Sequence, residues 1–210
     1  MIHLVVVLFT SFIIYIAKPG SSLFSWHPTL MAVAFCLFMF EGLLVFSPHS
    51  SLINPQNRIA RITWHWILLT VALSAATVGT AVIYYNKHIN NKPHFTSWHG
   101  YIGIISLAYF ALQALGGIVA KYPRLLLPSF KIVDVRLYHV ASGLVAICLV
   151  NMTLYLSMYS NWFIRNVVGY MWYVCTSALA LMTVSVIQQI IETHVPRLMN
   201  RLRRHVREEI

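Results

Sequence analysis

The sequence predicts an all-α integral membrane protein with six transmembrane helices. Only 10% of the 210 residues are charged and 59% are hydrophobic, whereas about a quarter of residues are charged in soluble domains. The mean hydropathy is +0.70. The apolar residues form runs of roughly twenty, the length at which a helix crosses the ~30 Å hydrocarbon layer of a bilayer. A water-soluble globule is therefore excluded, and we predict one transmembrane domain over residues 1–210.

Six apolar runs define the predicted spans. They cover approximately residues 2–17, 27–46, 63–85, 97–119, 137–159 and 167–190. The first run is short for a span and has the length of a signal-peptide core. However, no basic segment precedes it, and Lys18-Pro19-Gly20 is not a small-residue cleavage site. We therefore predict it as a span, with spans two to five forming a four-helix core and residues 191–210 forming a basic cytosolic tail.

The positive charges indicate the side of the membrane on which each loop lies. The formal charge is +10, with 15 Lys and Arg. Across six alternating spans, one side carries only Lys18, Lys87, Lys92 and Arg165. The other side carries Arg58, Arg61, Lys121, Arg124, Lys131, Arg136, Arg197, Arg201, Arg203, Arg204 and Arg207. Because cytoplasmic loops are enriched in Lys and Arg, both termini are predicted to be cytosolic, and the charges indicate topology instead of a nucleic-acid partner.

Motifs for several other cofactors are absent from the sequence. The three cysteines, Cys36, Cys148 and Cys175, lie within apolar runs without paired spacing, so they indicate neither a disulfide framework nor a zinc site. The chain has no GxGxxG and no GxxxxGK[ST] motif for a dinucleotide or a phosphate group. A redox cofactor would therefore have to lie within the membrane.

Four of the ten histidines occupy equivalent places in successive spans. His27, His65, His99 and His139 each lie near the start of a different span, from the second to the fifth, and each follows an aromatic residue. The string Ser-Trp-His occurs at two of them, as if one two-helix unit had been used twice. Ionisable groups in spans are costly, and independent interfacial anchors would have no reason to share this pattern. The pattern therefore favours ligands to a cofactor.

The direction of the spans pairs these histidines. Alternate spans run in the same direction, so His27 and His99 (the outer pair) enter from the non-cytosolic face. His65 and His139 (the inner pair) enter from the cytosolic face. Each pair can place two imidazoles at one depth, as a haem with two axial histidines requires. A glycine four residues after His99 and another four after His139 leave room for a flat macrocycle. The sequence predicts two haems b, bound non-covalently because no CxxCH motif is present.

Two other arrangements of histidines fit the sequence less well. A zinc transporter would need His or acidic residues four positions after each histidine. Those positions hold Met31, Leu69, Gly103 and Gly143. A quinol-oxidising cytochrome b carries two histidines about fourteen residues apart on one helix, and here that spacing leads to Glu41, Gly79, Gln113 and Thr153. A metal-ion transporter is therefore a minor alternative, and a haem-b subunit that carries electrons between protein partners is another.

The histidine pattern resembles the cytochrome b561 family of six-span, di-haem transmembrane reductases, over nearly the whole chain. Residues 97–103, Ser-Trp-His-Gly-Tyr-Ile-Gly, are similar to an SLHSWxG-type stretch of that family. The segments 26–28, 137–139 and 142–143 resemble its short "cytochrome b561 domain-containing" branch. The resemblance implies an oxidoreductase that takes electrons from cytosolic ascorbate. It also implies monodehydroascorbate radical or ferric iron as the acceptor, and an endoplasmic reticulum or endosomal vesicle membrane as the location.

The donor side departs from the family pattern at the end of the second span. Adrenal and plant members carry a string like ALLVYRVFR there, which is tied to ascorbate binding, whereas residues 42–48 are apolar and contain no arginine. Other cations lie on the cytosolic face near the inner haem: Arg58, Arg61, Lys131 and Arg136. They are candidates to bind ascorbate, because a guanidinium makes bidentate, charge-assisted hydrogen bonds to anionic oxygens.

On the opposite face, His88, Lys92 and His94 are candidates to bind the acceptor. The histidines at the membrane edges, including His3, are otherwise expected to be solvated. Since no large loop is present, small-molecule donors and acceptors are favoured over docked proteins. A homodimer within the lipid bilayer is a candidate assembly.

Glu41 is the only acid inside a predicted span. It lies fourteen residues after His27 and therefore about 21 Å deeper in a regular helix, level with the inner haem. We expect its carboxylate to hydrogen-bond an axial imidazole or the arginines, or to take up a proton.

Overall fold

The computed structural model describes residues 1–54 and 56–208, with side chains described as far as residue 196 and at 199. Every regular element in these residues is helical. We number the helices α1 (Ile2–Ala17), α2 (Trp26–Leu44), α3 (Arg58–Ile89), α4 (Trp98–Lys121), α5 (Pro123–Leu126), α6 (Ile132–Ser157), α7 (Asn161–Asn166) and α8 (Tyr170–Glu208).

Five of the described helices are long and apolar enough to cross a membrane. They are α2, α3, α4, α6 and the part of α8 from Tyr170 to Pro196. These helices confirm the predicted spans two to six as membrane-length apolar elements. Helix α1 is apolar but has only 16 residues, so its crossing of the bilayer stays a prediction.

The ends of several spans differ from the predicted ends, and both α3 and α6 begin five residues earlier than expected. Helix α3 begins five residues earlier than expected because the side chain of Asn57 accepts a hydrogen bond from Ala60 N and caps it. Helix α8 continues to Glu208, through most of the predicted tail. The tail side chains that carry its charge, those of Arg197, Arg201, Arg203, Arg204 and Arg207, lie outside the described residues.

Helix α2 changes its winding midway. Ala32–Met39 form a π-helix between an α-helical start at Trp26–Met31 and an α-helical end at Phe40–Leu44. A π-helix holds more residues per turn than an α-helix. A residue after Met39 therefore lies on the face that its predecessor would occupy in a regular helix.

The four core helices pack as two antiparallel pairs. Helix α2 packs along α3, and α4 packs along α6, whereas contact between the two pairs is less extensive and mainly joins α3 to α4. Glycines permit the close approach of α2 and α3. A Cβ atom on Gly42 would lie 2.3 Å from Leu69 Cδ2, and one on Gly79 would lie 3.1 Å from Leu30 Cβ.

Helices α1 and α8 pack against this core. Helix α1 contacts α2 and α8, and α8 contacts α6 and the end of α2. Side-chain hydrogen bonds join these helices: Thr183 Oγ1 donates to Asn151 Oδ1 at 2.7 Å, and Gln189 Nε2 donates to Leu43 O at 2.9 Å. Such bonds contribute about 0.6 kcal/mol each within a membrane, so close packing supplies most of the stability.

Candidate metal centre

The outer pair of histidines meets across the two helix pairs. The ring centres of His27 on α2 and His99 on α4 are 6.2 Å apart, and the ring planes make an angle of 76°. Two imidazoles that bind one metal ion through nitrogens about 2 Å from it have ring centres about 6 Å apart. The nitrogen–metal–nitrogen axis can lie in both imidazole planes whatever the angle between these two planes. The spacing therefore fits two axial ligands of one metal ion.

Each outer imidazole is held by the helix with which its own helix is paired. His27 Nδ1 lies 3.0 Å from Gly79 O on α3, and His99 Nδ1 lies 3.1 Å from Thr153 O on α6. A carbonyl oxygen can only accept, so both Nδ1 atoms carry the proton and donate it. The Nε2 lone pairs are then available to a metal, and the carbonyls fix the ring orientation as the outer shell of a metal site does.

His65 of the inner pair is held in the same way. Its Nδ1 donates to Gly42 O on α2 at 2.8 Å, and its ring lies 5.0 Å from the ring of Phe46. Trp66, next to His65, contacts Lys121 at the end of α4, and the ring of His139 lies against Gly117 in the same part of α4. The structure therefore places the predicted inner partners, which belong to different helix pairs, at the same end of the core helices.

His139 has a different support. Its Nδ1 lies 3.1 Å from Nε2 of Gln113 on α4, and the same Nε2 donates to His139 O at 2.7 Å. Ser142 Oγ donates to Gln113 Oε1 at 2.6 Å. The ring packs over two glycines, since a Cβ atom on Gly117 would lie 3.4 Å from Cε1 and one on Gly116 would lie 3.7 Å from Nδ1. A side-chain amide thus occupies the place of the backbone carbonyls at the other three histidines.

A cavity of about 580 Å³ opens beside His139 between α4, α6 and the segment that joins them. Its other lining residues are Gly116, Val119, Leu127, Phe130, Val135, Tyr138, Ala141, Ser142 and Val145. These walls are largely apolar, which suits a flat hydrophobic macrocycle next to the imidazole. No group of three or more His, Cys, Asp and Glu among the described residues is arranged to hold a metal ion.

The four supports follow a rule along the sequence. Gly79, Gln113 and Thr153 each lie fourteen residues, about four helical turns, after the histidine of their own helix. Gly42 lies fifteen residues after His27, because the π-helical segment of α2 adds one residue to the spacing. Each core helix therefore carries a histidine at one end and, at the other, the support for its neighbour's histidine. Sequence reasoning used this spacing only to look for a second histidine, and glycine or polar residues there were the missed signal.

The same π-helical segment corrects the expected partners of Glu41 and His3. Both carboxylate oxygens of Glu41 lie within 2.9 Å of His3 Nδ1, and His3 Nε2 donates to Ser50 O at 2.5 Å. Both ring nitrogens of His3 therefore have polar partners, the carboxylate of Glu41 and the carbonyl of Ser50. His3 is thus half-buried and not solvated. The extra residue turns Glu41 toward α1 and puts Gly42 against His65.

The predicted donor cations lie in different settings. Arg61 Nε donates to Val45 O, Arg61 Nη2 donates to Ser47 O at 3.4 Å, and the guanidinium lies 5.5 Å from the centre of the Phe46 ring. Arg61 therefore binds the carbonyls at the end of α2. The side chains of Arg58, Lys131 and Arg136 are exposed.

A further cation lies beside the inner pair. Lys121 Nζ is 4.9 Å from the ring centre of Trp66 and 5.4 Å from that of Tyr122. Trp66 directly follows His65, so this cation–π contact holds a positive charge at the same end of the helix pairs as the inner histidines.

The three residues predicted to bind the acceptor lie in different settings. His94 stacks on Tyr84 with ring centres 4.2 Å apart, and Lys87 Nζ donates to Pro93 O at 3.1 Å. His88 and Lys92 are exposed. His94 is therefore the candidate with a fixed position, in the segment that leads into α4 and His99.

Comparison with known proteins places this geometry in a family. Residues 26–164, which include all four histidines, match the family described as eukaryotic cytochrome b561. Over 195 residues the chain is 40% identical to the transmembrane reductase CYB561D2 of Homo sapiens, covering 93% of this chain and 87% of that protein. It is 39% identical over 195 residues to the probable transmembrane reductase CYB561D1 of Homo sapiens, covering 93% and 85%.

A shorter match reaches another relative. The lysosomal membrane ascorbate-dependent ferrireductase CYB561A3 of Mus musculus is 28% identical over 94 residues, which is 43% of this chain and 37% of that protein. The family match and the long, apolar helices together show an integral membrane protein of the oxidoreductase class. The chain belongs to the eukaryotic cytochrome b561 family of transmembrane reductases.

Proposed function

We propose that this protein transfers single electrons across its membrane, from cytosolic ascorbate to monodehydroascorbate radical or ferric iron on the opposite face. Two haems b, one held by each histidine pair, would supply the one-electron chemistry when bound. The observation that carries the proposal is the outer pair, His27 and His99, whose rings are 6.2 Å apart with both Nδ1 protons held by carbonyls.

The chain's own contribution is to hold ligands at two depths. The outer and inner pairs lie at opposite ends of the same four helices, so the sites are stacked across the bilayer. Because the supports come from the antiparallel neighbour, each helix pair fixes one outer and one inner imidazole at once. Apolar helices exclude water around both sites, and the outer-shell hydrogen bonds adjust the electron density of each ligand.

Charge favours ascorbate on the inner side. Lys131 and Arg136 are exposed near the start of α6, and Lys121 is held beside Trp66. An anionic reductant is attracted by such a concentration of cations, which raises its local concentration at that face. The name of the ferrireductase relative supports ascorbate as the donor class and ferric iron as an acceptor class.

On the opposite face, His94 is the best-placed group for the acceptor. Its stacking on Tyr84 fixes the imidazole five residues before His99, while His88 and Lys92 are exposed nearby. We propose that these groups bind a ferric chelate or an anionic radical close to the outer site. The proposal includes α1 as a sixth span, cytosolic termini and an endoplasmic reticulum or endosomal vesicle location.

Oriented vesicles test this proposal directly. With the predicted cytosolic face outward and a ferric chelate enclosed, external ascorbate should produce ferrous iron inside vesicles that contain the full chain. A protein in which both outer ligands are replaced, His27→Ala with His99→Ala, is the matched control and should produce none. Ferrous iron formed at equal rates with the control, or only with ascorbate inside, would contradict the proposal.

A further inference from the structure

The segment that joins α4 to α6 exposes large apolar side chains at the inner end of the molecule. Residues 122–131, the connecting segment, include the short helix α5. Within this segment Leu125 is 80% exposed and Phe130 is 57% exposed, and Tyr122 and Leu126 are exposed as well. Such a run is unfavourable in water, because removing apolar surface from water lowers the free energy. It is stable where a membrane protein enters the boundary between lipid tails and headgroups.

The backbone of the connecting segment is turned and attached to the core. Leu127 N donates to Pro123 O at 2.8 Å, and Phe130 N donates to Leu127 O at 3.1 Å. The Pro123 side chain is buried. The exposed apolar side chains therefore belong to an ordered piece of backbone and not to an extended loop.

The connecting segment and its flanks are strongly cationic. Residues 121–136 contain four basic residues, with Asp134 as the only acid. The basic residues are Lys121, Arg124, Lys131 and Arg136. The side chains of Arg124 and Lys131 are exposed and form no ion pair with other described residues. Both charges can therefore bind anionic groups outside the protein.

The segment that joins α2 to α3, at the same end, is built differently. Residues 47–57 contain no Lys or Arg, and Leu52 is the one large apolar side chain that is exposed among those described there. Serine hydroxyls close its backbone, as where Ser50 N donates to Ser47 Oγ at 3.0 Å. Such a segment is stable in water. The combination of cations and exposed apolar side chains is therefore a property of the connecting segment and not of every loop at this end.

Aromatic rings indicate the depth at which the connecting segment begins. Trp66 and Tyr122 are both exposed, and Lys121 Nζ lies 4.9 Å and 5.4 Å from their ring centres. Trp and Tyr are enriched where the lipid headgroups meet the hydrocarbon. A lysine at this depth extends its ammonium group toward the headgroups. The start of the connecting segment thus has the residues of a membrane–water interface.

We infer that the connecting segment is an interfacial anchor that binds anionic phospholipids. Leu125 and Phe130 enter the ends of the lipid tails, and Arg124 and Lys131 bind the headgroups, whose negative charge complements theirs. A soluble anion satisfies the cations alone, whereas a lipid satisfies the cations and the apolar side chains together. Phe130 also lines the cavity beside His139, so the bound lipid lies next to the inner site. The inference does not depend on the proposed function, because it requires no haem.

Retention of phosphatidylserine by the purified full chain tests this inference. The protein is reconstituted in discs of equal parts phosphatidylcholine and phosphatidylserine, and native mass spectrometry counts the lipids that stay bound on release. The wild-type chain should retain phosphatidylserine in preference. Arg124→Gln with Lys131→Gln, the charge variant, should lower this preference about tenfold or more, since each basic residue near an anionic surface strengthens binding roughly fivefold.

Two further variants separate lipid binding from charge alone. Lys18→Gln with Arg165→Gln removes two exposed charges at the opposite end; it is the matched control and should keep the preference. Leu125→Ser keeps every charge but removes the most exposed apolar side chain of the segment. It should also lower retention of phosphatidylserine, because the segment is then held less deeply in the lipid. Melting curves in detergent report the folding of each variant and should match that of the wild type.

Three results would overturn the inference. They are a wild-type chain without preference for phosphatidylserine, an equal loss in the charge variant and the control, and unchanged retention in Leu125→Ser. The last result would mean that the cations attract anions while the segment lies in water. Formation of ferrous iron in oriented vesicles is a separate measurement, so the inference and the proposed function can each fail while the other stands.

Discussion

The two core helix pairs hold their imidazoles with different residues. In α2 and α3, Gly42 and Gly79 bring the backbones together, and their carbonyls hold the two imidazoles. In α4 and α6, the outer imidazole is again held by a carbonyl, that of Thr153, but the inner one is held by Gln113. The two helix pairs therefore share the position of the group that holds each imidazole, which lies about four helical turns from the histidine on its own helix. They do not share the chemistry of that group.

The largest expected effect comes from removing a ligand. His65→Ala or His139→Ala should abolish the inner haem and leave the outer one, while His27→Ala or His99→Ala should do the reverse, because each haem loses one axial nitrogen. Difference spectra of the four purified variants would fall into two classes. If His65→Ala matched His99→Ala in spectral identity, the pairing across the helix pairs would be wrong.

The next effect tests the tightest glycine contact of the core, which lies between α2 and α3. Gly42→Ala places a Cβ atom 2.3 Å from Leu69 Cδ2 and 3.2 Å from Leu68 Cβ, so α2 and α3 must separate or Leu69 must move, at a cost of about 1–3 kcal/mol. We expect a lower melting temperature and weaker retention of the inner haem, since Gly42 O would shift from His65. Gly103→Ala, whose Cβ would lie 3.3 Å from Thr153 Cγ2, is the milder matched change. Equal effects of the two would show that α2 and α3 are not specially close.

A smaller effect distinguishes two arginines at the inner end. Arg136→Gln removes an exposed charge and should slow reduction by ascorbate several-fold at low salt, with little change for a neutral, membrane-permeant reductant. Arg61→Gln removes hydrogen bonds to the end of α2 and should lower the melting temperature and slow both reductants alike. Stopped-flow reduction at two ionic strengths measures this. An Arg136 variant that is equally slow with both reductants would mean that this arginine supports the fold or the haem.

The smallest effect lies outside the two pairs. Thr183→Val removes the hydrogen bond to Asn151 that joins α8 to α6 and should cost about 0.6 kcal/mol, visible as a small fall in melting temperature with both haems retained. Loss of either haem in this variant would show that α8 positions the histidines. This result would contradict the account in which the two core helix pairs hold all four histidines by themselves.

Periodicity and repetition made part of this architecture predictable. Runs of apolar residues predicted the five membrane-length helices, and four histidines at equivalent places in successive spans indicated the candidate ligands. In a chain that crosses the membrane repeatedly, every second span runs in the same direction. This direction predicted the pairing of His27 with His99.

Local winding and side-chain partners were beyond such reasoning. The π-helical segment at Ala32–Met39 has no clear signal in an apolar sequence, yet it decides whether Glu41 or Gly42 faces His65. His3 was expected to be solvated because it lies at a membrane edge, but tertiary packing brings it to Glu41. The residues fourteen positions after a histidine can be recognised as supports for the neighbouring helix's histidine only when the two helices are known to be antiparallel and close.

The most direct test of the central claim is the haem stoichiometry and axial ligation of the purified full chain. Two imidazoles on each iron give a six-coordinate, low-spin haem, and four supported histidines give two of them. We predict about two haems b per chain, both low-spin with two axial histidines in electron paramagnetic resonance. A single haem per chain, or a five-coordinate high-spin haem in the wild-type protein, would contradict the account.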